Sequence, residues 1–262
     1  SVKLTCNQLD RNLSKSSVAI VGAKGSVGRL AALDISQNCK SLFLIGNPEN
    51  KNAINELQSL AGEICLFLLN KQSSTSHQGA LSQLISSFSN RHDLPGSHNK
   101  SHSEESRRNF FLHITEHFYQ NTGRKFPITV GTNLSELLPK CEIVISATSH
   151  GQELIKPEFL KLGAIVCDAA RPSDLSKSIT LNRKDLHVFE GGLVKLPSKV
   201  QFGRPNILGF KPGINLACLA ETISLCMSQA NKNYSIGGIS SIMEAQTIFD
   251  TAIQHGFSCH IP

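Results

Sequence analysis

The chain has 262 residues, of which 40% are hydrophobic and 18% charged, as expected for a globular protein with a substantial core. Its formal net charge of +6 favours anionic partners, but no run of lysines and arginines exceeds two residues, which argues against nucleic-acid binding. The longest unbroken apolar run, residues 64–69, is far shorter than the roughly 20 residues that a transmembrane helix needs.

The eight cysteines form no CxxC pair and fall mostly inside apolar stretches. This usage is typical of a reducing compartment, where cysteine packs as a small hydrophobic residue. The chain shows no signal peptide and no zinc-ligand spacing. We therefore expect a cytoplasmic protein without a metal site.

The N-terminal part of the chain predicts a strand, a glycine-rich turn and a helix, followed by a second strand and a second helix. After a lead-in at 1–17, the apolar run at 18–21 predicts the first strand, and apolar residues recur at helical spacing beyond the turn. Residues 41–47 predict a second buried strand, and residues 50–70 predict a helix.

Residues 71–125 form a polar segment rich in Ser, His, Asn and Gln. Such a composition buries little apolar surface, so much of the segment is expected to be mobile, with helical islands at 80–88 and 109–120. The segment holds most of the histidines of the chain, but their spacing fits no metal site.

Strands alternate with helices again beyond the polar segment. Strands are predicted at residues 128–130, 142–147, 163–169 and 188–194, with a short helix at 134–138. This alternation predicts an α/β domain with a doubly wound, mostly parallel, Rossmann-like sheet over residues 18–208, interrupted by the insertion at 71–125.

The C-terminal segment, residues 209–262, is predicted to be a helical appendage. One helix covers residues 214–230. A second helix follows Ser241, which has capping-box spacing to Glu244, and Gly256 is a suitable C-terminal stop.

The glycine-rich turn after the first strand, Gly22-Ala23-Lys24-Gly25-Ser26-Val27-Gly28, has the GxxGxxG pattern. Glycines allow the backbone to turn sharply and approach a pyrophosphate, and the N-terminus of the following helix points at those charges. The turn follows a strand and opens a helix, which is the context that dinucleotide binding requires. All seven residues are therefore candidates for cofactor binding, against the alternative of a tight turn without a ligand.

The residues after the second strand bear on which nicotinamide cofactor binds. A carboxylate at the end of that strand would hold the ribose hydroxyls of NAD, but Asn47 stands there, and Glu49 is expected to begin the next helix. Asn47, Asn50 and Lys51 suit a 2′-phosphate, so NADPH is the favoured cofactor. The alternative is that these three residues form a solvated loop.

Residues 146–151 end the fourth strand, and ligands of this architecture bind beyond the carboxyl ends of the strands. Ala147 and Thr148 leave room for a nicotinamide ring, and His150 is a candidate proton donor or acceptor, or else an exposed loop histidine. Gly191, in the glycine pair that interrupts the last strand, is also assigned to the cofactor site.

Cys218 is expected in the first turn of the helix at 214–230. The positive end of the helix dipole favours the thiolate there, and a thiolate can take an acyl group from a thioester. The local sequence alone leaves open whether Cys218 is such a nucleophile or a packed thiol.

Several stretches, in order, make the chain resemble the cyanobacterial-type long-chain fatty acyl-[acyl-carrier-protein] reductases, which form fatty aldehydes with NADPH. The similarity covers roughly residues 12–70 and 127–258. The stretches are LSKSSVAIVGAKGSVG, EIVISATSHG, IVCDAARPSDL, HVFEGGLV, NLACLAETI and MEAQTIFDTAIQHGF.

The resemblance implies that Cys218 accepts the acyl group and that Gly22, Gly25 and Gly28 form the cofactor loop. The implied substrate is a fatty acyl thioester of acyl-carrier protein or coenzyme A, reduced to an aldehyde with hydride from NADPH. The carbonyl oxygen becomes anionic on the way, and His150 or backbone amides near Gly191 are our own candidates to stabilise it.

The chain departs from that family in two ways. The family has an N-terminal substrate domain before its cofactor domain, where this chain has only residues 1–17. Either a missing N-terminal domain or partner domains supply acyl binding, or activity is lost. The polar segment at 71–125 also has no recognised counterpart, and is a candidate spacer or carrier-docking element.

Two other functions are compatible with the sequence. The order of elements also resembles the shikimate and quinate dehydrogenases, which act on a small hydroxy acid without a covalent cysteine. The third hypothesis is a catalytically silent dinucleotide-binding module of a larger synthase.

Overall fold

The computed structural model describes residues 1–70, 79–88, 103–151, 153–176, 178–203, 209–230, 234 and 241–260. The chain divides into two compact units. The larger consists of Cys6–Val188, and the smaller combines Ser1–Thr5 with Phe189–Pro262. The boundary at Phe189 precedes the one expected from the sequence at residues 208 and 209.

The helices and strands of the described residues follow the order of an α/β protein. The helices are α1 Val2–Gln8, α2 Ser26–Ser36, α3 Ala53–Asn70, α4 Ala80–Ser86, α5 Glu104–Thr122, α6 Leu134–Leu137, α7 Ser178–Asn182, α8 Ala217–Met227 and α9 Ile242–Gln254. The strands are β1 Ser17–Val21, β2 Ser41–Ile45, β3 Ile128–Gly131, β4 Ile143–Ser146, β5 Ile165–Asp168, β6 His187–Glu190, β7 Leu193–Lys195, β8 Ile214–Leu216 and β9 Ser258–Cys259.

The central sheet has six strands in the order β3-β2-β1-β4-β5-β6, and the pairings from β3 through β5 are all parallel. This is the strand order of a doubly wound Rossmann fold, so the predicted fold class is confirmed. The order reverses between β1 and β4, where Val18 is in register with Ile143. A crevice at the carboxyl ends of β1 and β4 is therefore the place where such folds bind ligands.

The sheet is buried on both faces, as its parallel strands require. Ala19 and Val21 of β1 belong to a buried cluster on one face, while Val18 and Ile20 are fully buried on the other. Adjacent residues of a strand point to opposite faces, so a continuous apolar run such as this one indicates cover on both.

The prediction of a mostly mobile insertion with a short helical island at 109–120 was wrong for its second half. Residues 104–122 form one 19-residue helix, α5. The Ser103 side chain accepts the N–H of Ser106 at 3.1 Å and caps the helix. One stripe of α5 is buried: Phe110, Phe111, Ile114 and Phe118. The prediction underestimated this burial because polar and histidine residues surround the stripe. The remaining mobile-loop predictions, at 71–78 and 89–102, lie outside the described residues.

Helix α5 packs closely on α3. A Cβ added at Gly62 of α3 would overlap the carbonyl oxygen of Arg107, so the side of one helix lies against the backbone of the other. Glu63 of α3 pairs with Arg29 of α2, with Nε at 3.1 Å from Oε2, and lies 3.7 Å from Arg107. The insertion is thus integrated with the helices that follow β1 and β2.

The smaller unit contains a three-stranded antiparallel sheet in the order β8-β7-β9. Two predictions were wrong here. The single strand at 188–194 is two strands, β6 and β7, in different sheets, and the helix at 214–230 begins with strand β8. Strands of three residues or fewer leave no measurable alternation in the sequence, which explains both errors.

The end of the chain follows the sequence-based prediction more closely. The Ser241 side chain accepts the N–H of Glu244 at 3.2 Å at the start of α9, and Gly256 takes a left-handed φ of 83° just after its end. Within the described ranges, no helix has both the length and the apolar character needed to cross a membrane.

Candidate functional site

The turn between β1 and α2 has a conformation that only glycine accommodates easily. Gly22 has a φ of 76°, and its N–H donates to the Ile45 carbonyl at 2.9 Å. A Cβ on Gly22 would lie 2.7 Å from the carbonyl oxygen of Ala147. The turn is therefore held against the ends of both β2 and β4.

Gly25 and Gly28, the other two glycines of the motif, occupy positions with different structural requirements. Gly25 is the N-cap of α2 without a side-chain hydrogen bond, so the first N–H groups of the helix remain available to a ligand. Gly28 is buried, and a Cβ there would overlap the carbonyl oxygen of Gly22. The motif thus combines a tight turn, an open helix N-terminus and close packing of helix against strand.

A cavity of about 600 Å³ lies above this turn. It contains most of the residues predicted from the sequence to bind a cofactor, and also His150. The predicted residues that line it are Gly22, Lys24, Gly25, Asn47, Asn50, Ala147, Thr148 and His150. The structure therefore brings residues from three separate stretches of sequence to one side of the sheet.

Five predicted residues of the larger unit do not line the cavity. Ala23 and Gly28 are buried beneath the turn, whereas Ser26, Val27 and Lys51 are exposed beside it. Gly191 belongs to the smaller unit, in the turn that precedes β7.

The chain between β2 and α3 turns on two asparagine side chains. Asn47 Oδ1 accepts the N–H of Glu49, and Asn50 Oδ1 accepts the N–H of Asn52, each at 2.9 Å. Because α3 begins only after these turns, Glu49 does not start a helix, as was predicted, but lies in the turn and lines the cavity. Glu56 of α3 also lines it.

Lys24, in the glycine-rich turn, is a cation that lines the cavity. Its ammonium lies 2.6 Å from the carboxylate of Glu104, the first residue of α5. The hydrogen bond from Lys24 lowers the pKa of Glu104, although both side chains are largely exposed. The insertion thus contributes a charge next to the glycine-rich turn.

The end of β4 depends on Asp174, a residue that the sequence analysis did not single out. Asp174 is fully buried, and its two carboxyl oxygens accept the hydroxyls of Ser146 and of Thr148, the latter at 2.6 Å. Thr148 Oγ1 in turn accepts the backbone N–H of His150 at 3.3 Å. The only sequence signal was a Ser-Asp pair after a strand, which is common in ordinary turns.

A second carboxylate supports Asp174. Asp168, at the end of β5, accepts the Ser173 hydroxyl at 2.5 Å and the Asp174 N–H at 3.2 Å. Burial raises the pKa of Asp168, and the nearby charge of Asp174 acts in the same direction. Two neighbouring buried carboxyl groups therefore support Thr148, which lines the cavity.

Cys218 lies in the smaller unit, as the second residue of α8, with its side chain exposed. The N–H of Ala217, the residue before it, donates to the Gly192 carbonyl at 2.8 Å. The first turn of α8 is thus joined to the Gly191–Gly192 turn, which contains the backbone amides proposed from the sequence as oxyanion donors.

The other cysteines divide into buried and accessible groups. Cys6, Cys39, Cys65, Cys141 and Cys167 are buried, and burial raises the pKa of each. For Cys39, Cys141 and Cys167 the pKa rises to about 12, so these thiols stay protonated and unreactive near neutral pH. Cys218 and Cys226 are exposed on the same helix, eight residues apart.

No protein-family model matches the chain. The chain is similar to the aminotransferase PigE of Serratia sp. (strain ATCC 39006), with 27% identity over 161 residues. The matched stretch covers 61% of this chain but only 18% of that relative.

Proposed function

We propose that this protein reduces a fatty acyl thioester, carried by acyl-carrier protein or coenzyme A, to an aldehyde with NADPH through an acyl intermediate on Cys218. The observations that carry the proposal are a cavity at the glycine-rich turn of the larger unit and, in the smaller unit, an exposed thiol in the first turn of a helix. The resemblance to acyl-carrier-protein reductases includes motifs around both the glycine-rich turn and Cys218, which supports a common function for them.

Backbone groups around the cavity support the proposal of a dinucleotide. The glycine-rich turn and the uncapped N-terminus of α2 offer N–H groups to a pyrophosphate, and Lys24 adds a positive charge. The two asparagines after β2 lie on one side of the turn and Ala147 to His150 lie on the other, which leaves a place for each half of the cofactor.

The chemistry assigned to this chain begins at Cys218. Its thiolate attacks the thioester carbonyl, so that the Cys218 S–C bond forms and the carrier S–C bond breaks; the carrier leaves as a thiolate, which takes a proton from solvent. When bound, NADPH supplies the hydride that reduces this enzyme thioester. Collapse of the hemithioacetal then breaks the S–C bond, releases the aldehyde and regenerates the Cys218 thiol.

The developing oxyanion needs a hydrogen-bond donor in that sequence. The amides of the Gly191–Gly192 turn are the first candidates, because that turn is bonded to the start of α8. His150 is the second candidate, since it lines the dinucleotide cavity.

The ribose end of the cavity bears on the choice of cofactor. Asn47 and Asn50 line it, as predicted for a 2′-phosphate, but so do the carboxylates of Glu49 and Glu56, which suit ribose hydroxyls better. Titration of NADPH and NADH side by side therefore tests the proposed cofactor. Tighter binding of NADPH supports the proposal, and tighter binding of NADH replaces it with the other dinucleotide.

Intact-mass spectrometry tests the covalent step. The full chain is incubated with a long-chain acyl coenzyme A or acyl-carrier protein in the absence of reductant, and one acyl adduct is expected. The adduct should disappear in Cys218→Ser and persist in Cys226→Ser, which removes the other exposed thiol of α8. An adduct that survives in Cys218→Ser would overturn the assignment. Dinucleotide binding without any adduct would favour the silent module instead.

A further inference from the structure

The hydroxyl hydrogen of Thr148 is already committed within the protein. Thr148 donates it to Oδ1 of Asp174 at 2.6 Å. A hydroxyl has one hydrogen and two lone pairs, so Thr148 Oγ1 can act towards a ligand only as an acceptor. Thr148 lines the proposed dinucleotide cavity. One lone pair of its Oγ1 accepts a long hydrogen bond, 3.3 Å, from the backbone N–H of His150. Among the described residues no hydrogen bond uses the other lone pair, which we assign to a ligand.

Asp174 is fixed well enough to hold this arrangement. Its backbone carbonyl accepts the N–H groups of Leu154 and Ile155, both at 2.9 Å, and its own N–H donates to Asp168 at 3.2 Å. The second carboxyl oxygen accepts the hydroxyl of Ser146. With both carboxyl oxygens used and the main chain bonded on each side, the carboxylate cannot turn without breaking several buried hydrogen bonds.

The position of Thr148 indicates which part of a dinucleotide it meets. The glycine-rich turn suits the pyrophosphate, and the turn after β2 suits the adenosine ribose, so the β4 end remains for the nicotinamide half. A Cβ on Gly22 would lie 3.0 Å from Cγ2 of Thr148, which shows how near the threonine is to the phosphate-binding turn.

We propose that Thr148 Oγ1 accepts a hydrogen bond from the carboxamide NH2 of the nicotinamide ring, and that Asp174 is the positioning residue that makes Thr148 an acceptor. This inference rests on the proposed dinucleotide function and deepens it. A ring substituent without an N–H donor loses the interaction, so the site selects the carboxamide over groups of similar shape that cannot donate.

The test compares NADPH with its reduced 3-acetylpyridine analogue, in which a methyl group replaces the carboxamide NH2. Isothermal titration of the full chain should show about fivefold weaker binding of the analogue, as expected for the loss of one hydrogen bond. In Thr148→Val the two should bind equally. If Thr148→Val keeps the wild-type ratio, the proposal is wrong.

Two further variants separate the hydrogen bond from general damage. Thr148→Ser retains the hydroxyl and should retain the fivefold ratio. Thr122→Val makes the same substitution on α5, where the hydroxyl bonds to the Phe118 carbonyl and the residue does not line the cavity, so the ratio should again persist. Loss of the ratio in Thr122→Val would overturn the specific role of Thr148.

Asp174→Leu tests the positioning role, with thermal melting measured alongside. Leucine has a similar volume but no acceptor, so the Thr148 hydroxyl is free to donate to a ligand, and a folded variant should show a ratio close to one. A folded Asp174→Leu with the full ratio would remove Asp174 from the proposal, and if the variant does not fold, the ratios in Thr148→Val and Thr148→Ser decide. If the wild type binds NADPH and its analogue equally, this inference is wrong but the proposed function stands. If it binds neither dinucleotide, the proposed function is wrong as well.

Discussion

The two units place their candidate functional groups in opposite physical settings. In Cys6–Val188 the groups that face the cavity are held by their surroundings: glycines lie against neighbouring carbonyls, and Thr148 is bonded to a buried carboxylate. In the smaller unit Cys218 is exposed on the first turn of a helix. We therefore expect substitutions in the first setting to change geometry and binding together, and substitutions at Cys218 to change reactivity alone.

The largest effect that sharpens this contrast is expected from Cys218→Ser. Removal of a covalent nucleophile should lower thioester turnover by about 10⁴-fold or more. The free energy of unfolding should change by no more than about 0.5 kcal/mol, because the side chain is exposed. Aldehyde formation and urea denaturation measure the two quantities, with Cys226→Ser as the control that keeps both. Turnover close to wild type in Cys218→Ser would show that Cys218 is not the nucleophile.

A core substitution in α5 is expected to have the next largest effect. Phe111 is 4% exposed, and Phe111→Ala should lower the free energy of unfolding by about 3–5 kcal/mol, through lost burial and the cavity that remains. Tyr119, on the same helix, is 57% exposed, so Tyr119→Ala should change it by about 0.5 kcal/mol or less.

Urea denaturation followed by circular dichroism measures both variants. Equal and small changes would show that α5 is a detachable appendage and not part of the larger unit.

The sequence predicted the parts of the fold whose local signals are strong. The buried strand before the glycine turn and the capped helix after Ser241 both follow from apolar spacing and turn chemistry. Helix α5 was underestimated because its stripe of buried phenylalanines is diluted by polar neighbours, and only its packing on α3 reveals what that stripe covers. Strand β8 was taken for helix because three residues carry no period.

The residues of the candidate site that follow local motifs were also predictable from the sequence, whereas those that depend on long-range contacts were not. Gly22, Asn47 and Thr148 were assigned from motif and strand ends, and the structure brings them to one cavity. Asp174 was missed because its role depends on a hydrogen bond across 26 residues, which no local pattern encodes. The placement of Glu49 was wrong because two asparagine turns delay the helix.

Gly28→Ala tests whether the backbone of the turn, and not its side chains, controls binding. The added Cβ would overlap the Gly22 carbonyl oxygen and displace the turn, so the dissociation constant for NADPH should rise about 100-fold. Gly192→Ala is the matched control, because a Cβ there meets nothing within 4 Å, and it should change that constant by less than about twofold. Isothermal titration makes the comparison, and unchanged affinity in Gly28→Ala would remove the turn from the binding site.

The smallest expected effect tests the charge that α5 contributes to the cavity. Under the proposed function a cofactor phosphate would compete with Glu104 for Lys24. We therefore expect Glu104→Gln to bind NADPH about twofold more tightly, since an exposed ion pair is worth less than about 1 kcal/mol. The gain should vanish at high salt, which screens the ion pair. It should also vanish at acid pH. The lowered pKa of Glu104 keeps its carboxylate charged through the usual glutamate range, and the pair is lost as the pH falls through the lowered value. Glu105→Gln removes the same charge from the neighbouring residue. An equal gain in Glu105→Gln would assign the effect to net charge and not to the contact with Lys24.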